Sequence, residues 1–140
     1  MTPARLDIVE AWWRERRGVL VDVEEVLPYV VLYRPPGEFC AAPTPLYLGA
    51  RSFQSALLGS FDAPDLRMAI DDTSADYRLR IVEKHREVVA SGKPDIQHGV
   101  FQHRHLRGGA AFDYVAGVFP VKTGAGARLL MTYSAPVALS

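Results

Sequence analysis

One amphipathic helix followed only by β segments limits what this chain can fold into more than any other feature. From Ala75 to Ala90, Tyr77, Ile81, Val82, His85, Val88 and Val89 share one face, and Arg80, Glu83, Lys84 and Glu87 share the other. Asp71, Asp72, Thr73 and Ser74 offer N-cap oxygens, and Gly92 and Pro94 close the far end. Three strand-like runs come next: Asp95 to Leu106, Ala111 to Val121 and Arg128 to Pro136. Gly108-Gly109 and the segment Thr123 to Gly126 mark the turns between them. A long helix before three antiparallel strands predicts an α+β domain with one curved sheet. Helix and sheet then bury each other's apolar faces and leave a hollow between them.

The first half is built from shorter pieces. Arg5 to Arg17 reads as a helix stopped at Gly18, with Leu6, Val9, Trp12, Trp13 and Arg16 gathered on one side. A helical turn is expected at Val23 to Leu27, closed by Pro28, and a strand at Tyr29 to Arg34. Glu38 to Pro45 reads as a loop, Leu46 to Ala50 as a second strand, and Phe53 to Leu58 as a short helix ending at Gly59. Asp62 to Asp72 carries no decisive pattern. Residues 1–27 are read as an N-terminal helical cap and residues 28–140 as the core, within one structural domain.

The 140 residues include 16 Lys plus Arg and 16 Asp plus Glu. A net charge of zero gives no long-range attraction for a phosphate backbone, so nucleic acid is not an expected partner. Cys40 is the only cysteine, which excludes an internal disulfide and fits a reducing compartment. The first ten residues lack a signal peptide's apolar run, and no apolar stretch reaches membrane-spanning length. A cytoplasmic protein without membrane insertion is expected.

The order of elements resembles that of PAS domains: two short strands, short helices, one longer helix, three consecutive strands. More closely it is similar to a single-domain PAS-like family of alphaproteobacteria. The likeness rests on Trp12-Trp13-Arg14-Glu15-Arg16-Arg17-Gly18 and on Leu27-Pro28 entering the first strand. It rests equally on Gly92-Lys93-Pro94 after the long helix and on Phe119-Pro120-Val121 before a glycine hairpin. The family's Arg-x-x-Gly in the second strand is altered here: Leu46-Tyr47-Leu48-Gly49 keeps the glycine and loses the arginine. The resemblance implies a PAS-like fold with about five strands and a bacterial sensory or regulatory role in signal transduction, without naming a ligand.

Several residues are candidates for chemistry. His98, His103 and His105 share one predicted strand, but a period of two sends only His103 and His105 to the same face. A third ligand would have to come from elsewhere, and no carboxylate or cysteine sits at a telling spacing in the sequence, so no metal site is expected and a wet strand face is. His85 lies among Ile81, Val82, Val88 and Val89 on the long helix. It is read as a core histidine, with haem ligation as the alternative. Cys40 lacks the neighbours of a flavin-reactive cysteine and is read as a small apolar residue.

No catalytic constellation is present, so a non-enzymatic sensor module is expected. It binds a small apolar molecule or a signalling protein, and its signal passes through another protein because 140 residues leave no room for an output domain. No cofactor is assigned. The alternatives are a haem sensor and a small cystatin-like enzyme using Tyr114, His85 and Asp113. The expected ligand pocket lies between the long helix and the last three strands, lined by Ile81, His85, Phe101, Phe112, Tyr114, Met131 and Tyr133. Adjacent tryptophans project about 100° apart on a helix, so one of Trp12 and Trp13 is expected to pack inward and the other to meet a second subunit in a homodimer.

Overall fold

The chain is laid out as a five-stranded antiparallel sheet with helices on both faces. The structure, a computed structural model, describes residues 4–60, 62–101 and 112–137. The strands are β1 (Val31–Arg34), β2 (Thr44–Leu48), β3 (Asp95–Phe101), β4 (Phe112–Lys122) and β5 (Arg128–Pro136), in the spatial order β2-β1-β5-β4-β3. The helices are α1 (Ala4–Arg16), α2 (Phe53–Leu58), α3 (Ala63–Asp71) and α4 (Ala75–Ser91). The sheet closes by bringing β5, last in sequence, beside β1.

The long helix forms where expected. Ser74 caps it by accepting from the Tyr77 amide at 3.2 Å, and Gly92 ends it in the left-handed region at φ 69°. The undecided segment Asp62 to Asp72 holds α3. Its signals are Pro64 in the first turn and Leu66 and Ile70 four residues apart, both buried. The first strand starts at Val31, because Leu27–Tyr29 winds into a 3-10 turn begun by Pro28. The second starts two residues early, at Thr44, and takes in Pro45. Proline is tolerated there because β2 is an edge strand. The strand expected over Asp95 to Leu106 is described as far as Phe101; its remainder and the Gly108-Gly109 turn lie outside the described residues.

Two cores sit on opposite sides of the sheet. On one side Leu6, Val9 and Trp12 of α1 pack with Val115, Phe119, Met131 and Tyr133. On the other, Leu66, Ile70 and Val88 pack with Val31, Tyr33, Val118 and Leu130. The segment after α1 is tied to β4: the Leu20 amide donates to the Lys122 carbonyl and the Lys122 amide to that of Gly18, both at 2.8 Å.

This packing gives both tryptophans partners within the chain. Trp12 is buried, and its indole N–H donates to the Asp22 carbonyl at 3.0 Å. Trp13 is half-buried, with its N–H donating to the Pro120 carbonyl at 2.6 Å and its ring 6.4 Å from that of Phe119. The 100° splay is met within the chain, because β4 runs past the end of α1 and receives the second ring. Trp13 thus has its donor and part of its ring satisfied within the chain, with the rest of the ring at the surface.

Candidate functional site

On the side of the sheet away from α1, the helices and strands line a cavity of about 340 Å³ that opens to solvent on one side. α4 contributes Tyr77, Arg80, Ile81, Lys84 and His85. α2 and α3 contribute Phe53, Leu57, Leu66 and Ile70. The sheet supplies Tyr33, Gly99, Tyr114, Ala116, Val118, Thr132 and Ser134. The walls are mainly apolar, and no Asp or Glu lines them among the described residues.

The facing of each strand follows from its register. Tyr114, Ala116 and Val118 of β4 alternate toward the cavity, while Val115 and Phe119 turn to α1. Tyr114 stands opposite Gly99 of β3. A Cβ at Gly99 would lie 3.0 Å from the Tyr114 Cζ and hydroxyl, so the glycine leaves the space over which the ring lies. Tyr77 of α4 lines the cavity beside Tyr114. Burial, helped by Tyr114, raises the Tyr77 phenol well above its ordinary range. The sheet and the first turn of α4 are thereby joined at the cavity wall.

His85 is only 2% exposed and tilts against the Tyr33 ring, with centroids 5.2 Å apart and planes at 58°. Its Nδ1 is buried without a hydrogen-bond partner. Burial pushes the imidazole down to about 4, so the ring is neutral at physiological pH. Burial likewise raises the Tyr33 phenol. On the floor, the Thr132 hydroxyl donates to the Val31 carbonyl at 3.4 Å, and Ser134 Oγ accepts from the Gln54 amide at 3.1 Å. At the rim, Lys84 pairs with Glu87 at 2.9 Å and Asp95 at 3.5 Å. The Arg80 guanidinium lies 5.9 Å from the Tyr77 ring centroid.

Three of the residues expected to line a pocket do so: Ile81, His85 and Tyr114. The side chains of Phe101 and Phe112 lie outside what the structure describes. Met131 and Tyr133 face the other way, into the core beneath α1. β5 is covered on both sides, so its run Leu129-Leu130-Met131-Thr132-Tyr133 gives no clean alternation, and a one-residue error inverts the facing. The residues that face the cavity are the smaller Thr132 and Ser134. Sequence reasoning also missed Tyr33, Tyr77 and Arg80 as wall residues. Tyr77 and Arg80 were legible from the period of α4, one on each side of the boundary between its faces.

Asp113, a candidate for the enzymatic alternative, is exposed and alternates away from Tyr114. The strand order and the position of α4 replace the cystatin-like architecture, in which the long helix precedes a longer sheet. His98 of β3 is exposed and lines the cavity, while His103 and His105 lie outside the described residues. No cluster of three metal-ligating side chains occurs among the described residues. Cys40 sits in the β1–β2 loop, its thiol donating to the Ala42 carbonyl, and does not line the cavity. Among the described residues no helix is long and apolar enough to cross a membrane.

No family model matches the chain, and no curated protein matches it in sequence. Solved structures do match it in fold. A fungal LOV domain photoreceptor aligns over 94% of this chain and 92% of its own, with a TM-score of 0.50 at 14% identity. The PAS domain of an HTR-like protein from Haloarcula marismortui aligns over 96% of this chain and all of its own, with a TM-score of 0.40 at 11% identity. With its five-stranded antiparallel sheet in the order β2-β1-β5-β4-β3 and its helices laid over a cavity, the chain has the α+β fold of PAS and LOV domains.

Proposed function

We propose that this protein is a non-enzymatic sensory module that binds a small molecule between α4 and the sheet and relays its occupancy to another protein. The observation that carries the reading is the cavity itself. It is lined by three helices and four strands and opens to solvent on one side, it is mainly apolar, and it contains a neutral histidine with a sealed, unpartnered nitrogen. A pocket of this size with a few convergent polar groups is the usual form of a small-ligand site. Its volume, about 340 Å³, lies near the low end of such sites, roughly 300–1,000 Å³. It suits a one- or two-ring molecule better than a four-pyrrole macrocycle, so the haem alternative has less support than a compact ligand.

A route to the surface supports the relay. Arg86, next to His85 on α4, donates to the carbonyls of Gly37 at 2.8 Å, Glu38 at 3.1 Å and Cys40 at 3.4 Å. This clamp holds the β1–β2 loop on which Phe39 stands 92% exposed. A shift of α4 on ligand binding would reach Phe39 through one guanidinium. A homodimer belongs to the same reading, but its support now comes from the exposed apolar Ile96 and Val100 on edge strand β3 instead of from a tryptophan. Sedimentation of the full chain tests it, and a single-chain mass at high concentration overturns it.

The small-molecule reading is tested by screening fragments against the ¹⁵N-labelled chain. A binding fragment should shift amides of α4 and β5 around the cavity and then those of residues 37–40. If binding shifts only surface amides away from α4, the reading fails.

A further inference from the structure

We propose that the cavity selects a compact carboxylate whose apolar body carries an oxygen acceptor at its other end, with the oxygen accepting from His85 Nε2–H and the carboxylate meeting Arg80. This rests on the reading of the cavity as a small-molecule site and adds the chemistry of the occupant.

The His85 contact follows from which ring nitrogen is sealed. The ring lines the cavity, yet Nδ1 is closed off in the wall with no partner. Nε2 is not closed off in this way, so it is the nitrogen through which the ring meets a bound molecule. Burial keeps the ring neutral, so it carries one proton. Orphaned buried N–H groups are rarer than under-satisfied acceptors. The tautomer with the lone pair on sealed Nδ1 and the proton on Nε2 is therefore the cheaper one. A neutral imidazole in that form donates into the cavity and calls for an acceptor oxygen. The floor does not compete for the donor, because the Thr132 hydroxyl is directed to the Val31 carbonyl and Ser134 is engaged by Gln54.

The carboxylate follows from the charge at the rim. Arg80 precedes His85 by five residues on α4, about 7.5 Å along the helix axis and about 140° around it, and both line the cavity, His85 in its buried wall and Arg80 at its exposed rim. Its guanidinium is held beside the Tyr77 ring, and no carboxylate pairs with it among the described residues. Lys84, also at the cavity, is already neutralised by Glu87 and Asp95. Among the lining residues, Arg80 is the cation with no acidic partner in the described structure, since Lys84 is shared by two carboxylates. The Arg80 guanidinium offers a planar fork that matches a carboxylate.

The test is calorimetric titration of the full chain with three probes of similar shape. Para-acetylbenzoate carries both features, para-isopropylbenzoate lacks the acceptor, and para-methylacetophenone lacks the carboxylate. The expected result is that para-acetylbenzoate binds about tenfold or more tightly than either truncated probe, the scale of one charge-assisted or buried hydrogen bond. Arg80→Gln, at an exposed position where folding is not at risk, should abolish the advantage over para-methylacetophenone and leave that neutral probe's affinity unchanged. His85→Phe should abolish the advantage over para-isopropylbenzoate. Equal affinities for the three probes, or tightest binding of the neutral one, overturn the proposal and leave the small-molecule reading standing. Failure of all three to bind also overturns it. In that case a panel of uncharged apolar fragments separates the two readings: shifts at α4 preserve the cavity as a site, and their absence removes that reading too.

Discussion

Gly99 of β3 and Tyr114 of β4 are register partners, and the tyrosine ring covers the glycine so closely that a Cβ there would stand 3.0 Å from the phenol oxygen. Because the obstructing atoms are at the end of a movable side chain, Gly99→Ala should displace the ring without disrupting the strand. We expect a stability change of at most about 1 kcal/mol, together with a displaced Tyr114 ring beside Tyr77. Chemical denaturation and the Tyr77 and Tyr114 side-chain resonances check this. A loss several times larger would mean that the strand itself does not tolerate a side chain there.

Gly49 behaves differently. A Cβ at this position would stand 2.5 Å from the Pro28 carbonyl oxygen and 2.7 Å from that of Leu27. Both are backbone atoms, held where the Gly49 amide donates to the Val30 carbonyl at 2.9 Å. Gly49→Ala should therefore cost about 3 kcal/mol or more, read from the denaturation midpoint. An unchanged midpoint would show that the β1–β2 pairing tolerates opening at this end.

Helix α1 should prove inseparable from the core. Trp12, Leu6 and Val9 fill the face of the sheet opposite the cavity, so Trp12→Ala should cost roughly 3–5 kcal/mol. Trp13→Phe keeps a ring on Phe119 but removes the donor to Pro120. It should cost about 1–2 kcal/mol. Deleting residues 1–18 should expose this core and give an aggregating product instead of a clean monomer. Retention of a cooperative thermal transition by that product would contradict the packing.

The buried histidine makes stability depend on pH. Its folded value is held down to about 4 by burial, against about 6.5 in an unfolded chain. Between those values the unfolded state takes up a proton that the folded state refuses. The contribution is thus fully present above about pH 6.5 and is lost as pH falls toward 4, by up to about 3 kcal/mol at the bottom of the window. The informative quantity is the difference between wild type and His85→Phe, which isolates the imidazole from every other group. The variant should have the flatter profile between pH 6.5 and 4. Parallel profiles would place the His85 ring in contact with water.

Much of this fold was legible because its strongest signals are local. The caps of α4, the apolar stripe from Tyr77 to Val89 and the glycine hairpin before Arg128 each follow from short-range chemistry, and each formed where expected. What was not legible depends on neighbours distant in sequence. Pro45 belongs to a strand because β2 lies at the sheet edge, and sheet order cannot be read from a tripeptide. The side facing of Met131 and Tyr133 is decided by α1 lying over one surface and α4 over the other. The fate of Trp13 is decided by a carbonyl at Pro120, 107 residues away. Within the site, Ile81, His85 and Tyr114 were found from period alone. Tyr33 was not, since a four-residue strand with buried positions on alternate residues leaves too few repeats to set its facing.

The Arg86 clamp offers a test of the relay. Arg86→Ala should release the carbonyls of Gly37, Glu38 and Cys40, at a cost of about 1 kcal/mol because the side chain is partly exposed. Ligand-induced shifts at residues 37–40 should vanish while those on α4 persist. Persistence of both would mean that α4 and the loop communicate by another path.

The central claim, that the space between α4 and the sheet holds a small molecule, is tested most directly by native mass spectrometry of the chain purified from its own host. The wild type should be compared with Ala116→Leu, which fills cavity space from the floor. The account predicts a non-covalent adduct on the wild type, lost on denaturation and absent from the variant. A bare wild-type mass, or an adduct retained equally by the filled variant, would contradict it.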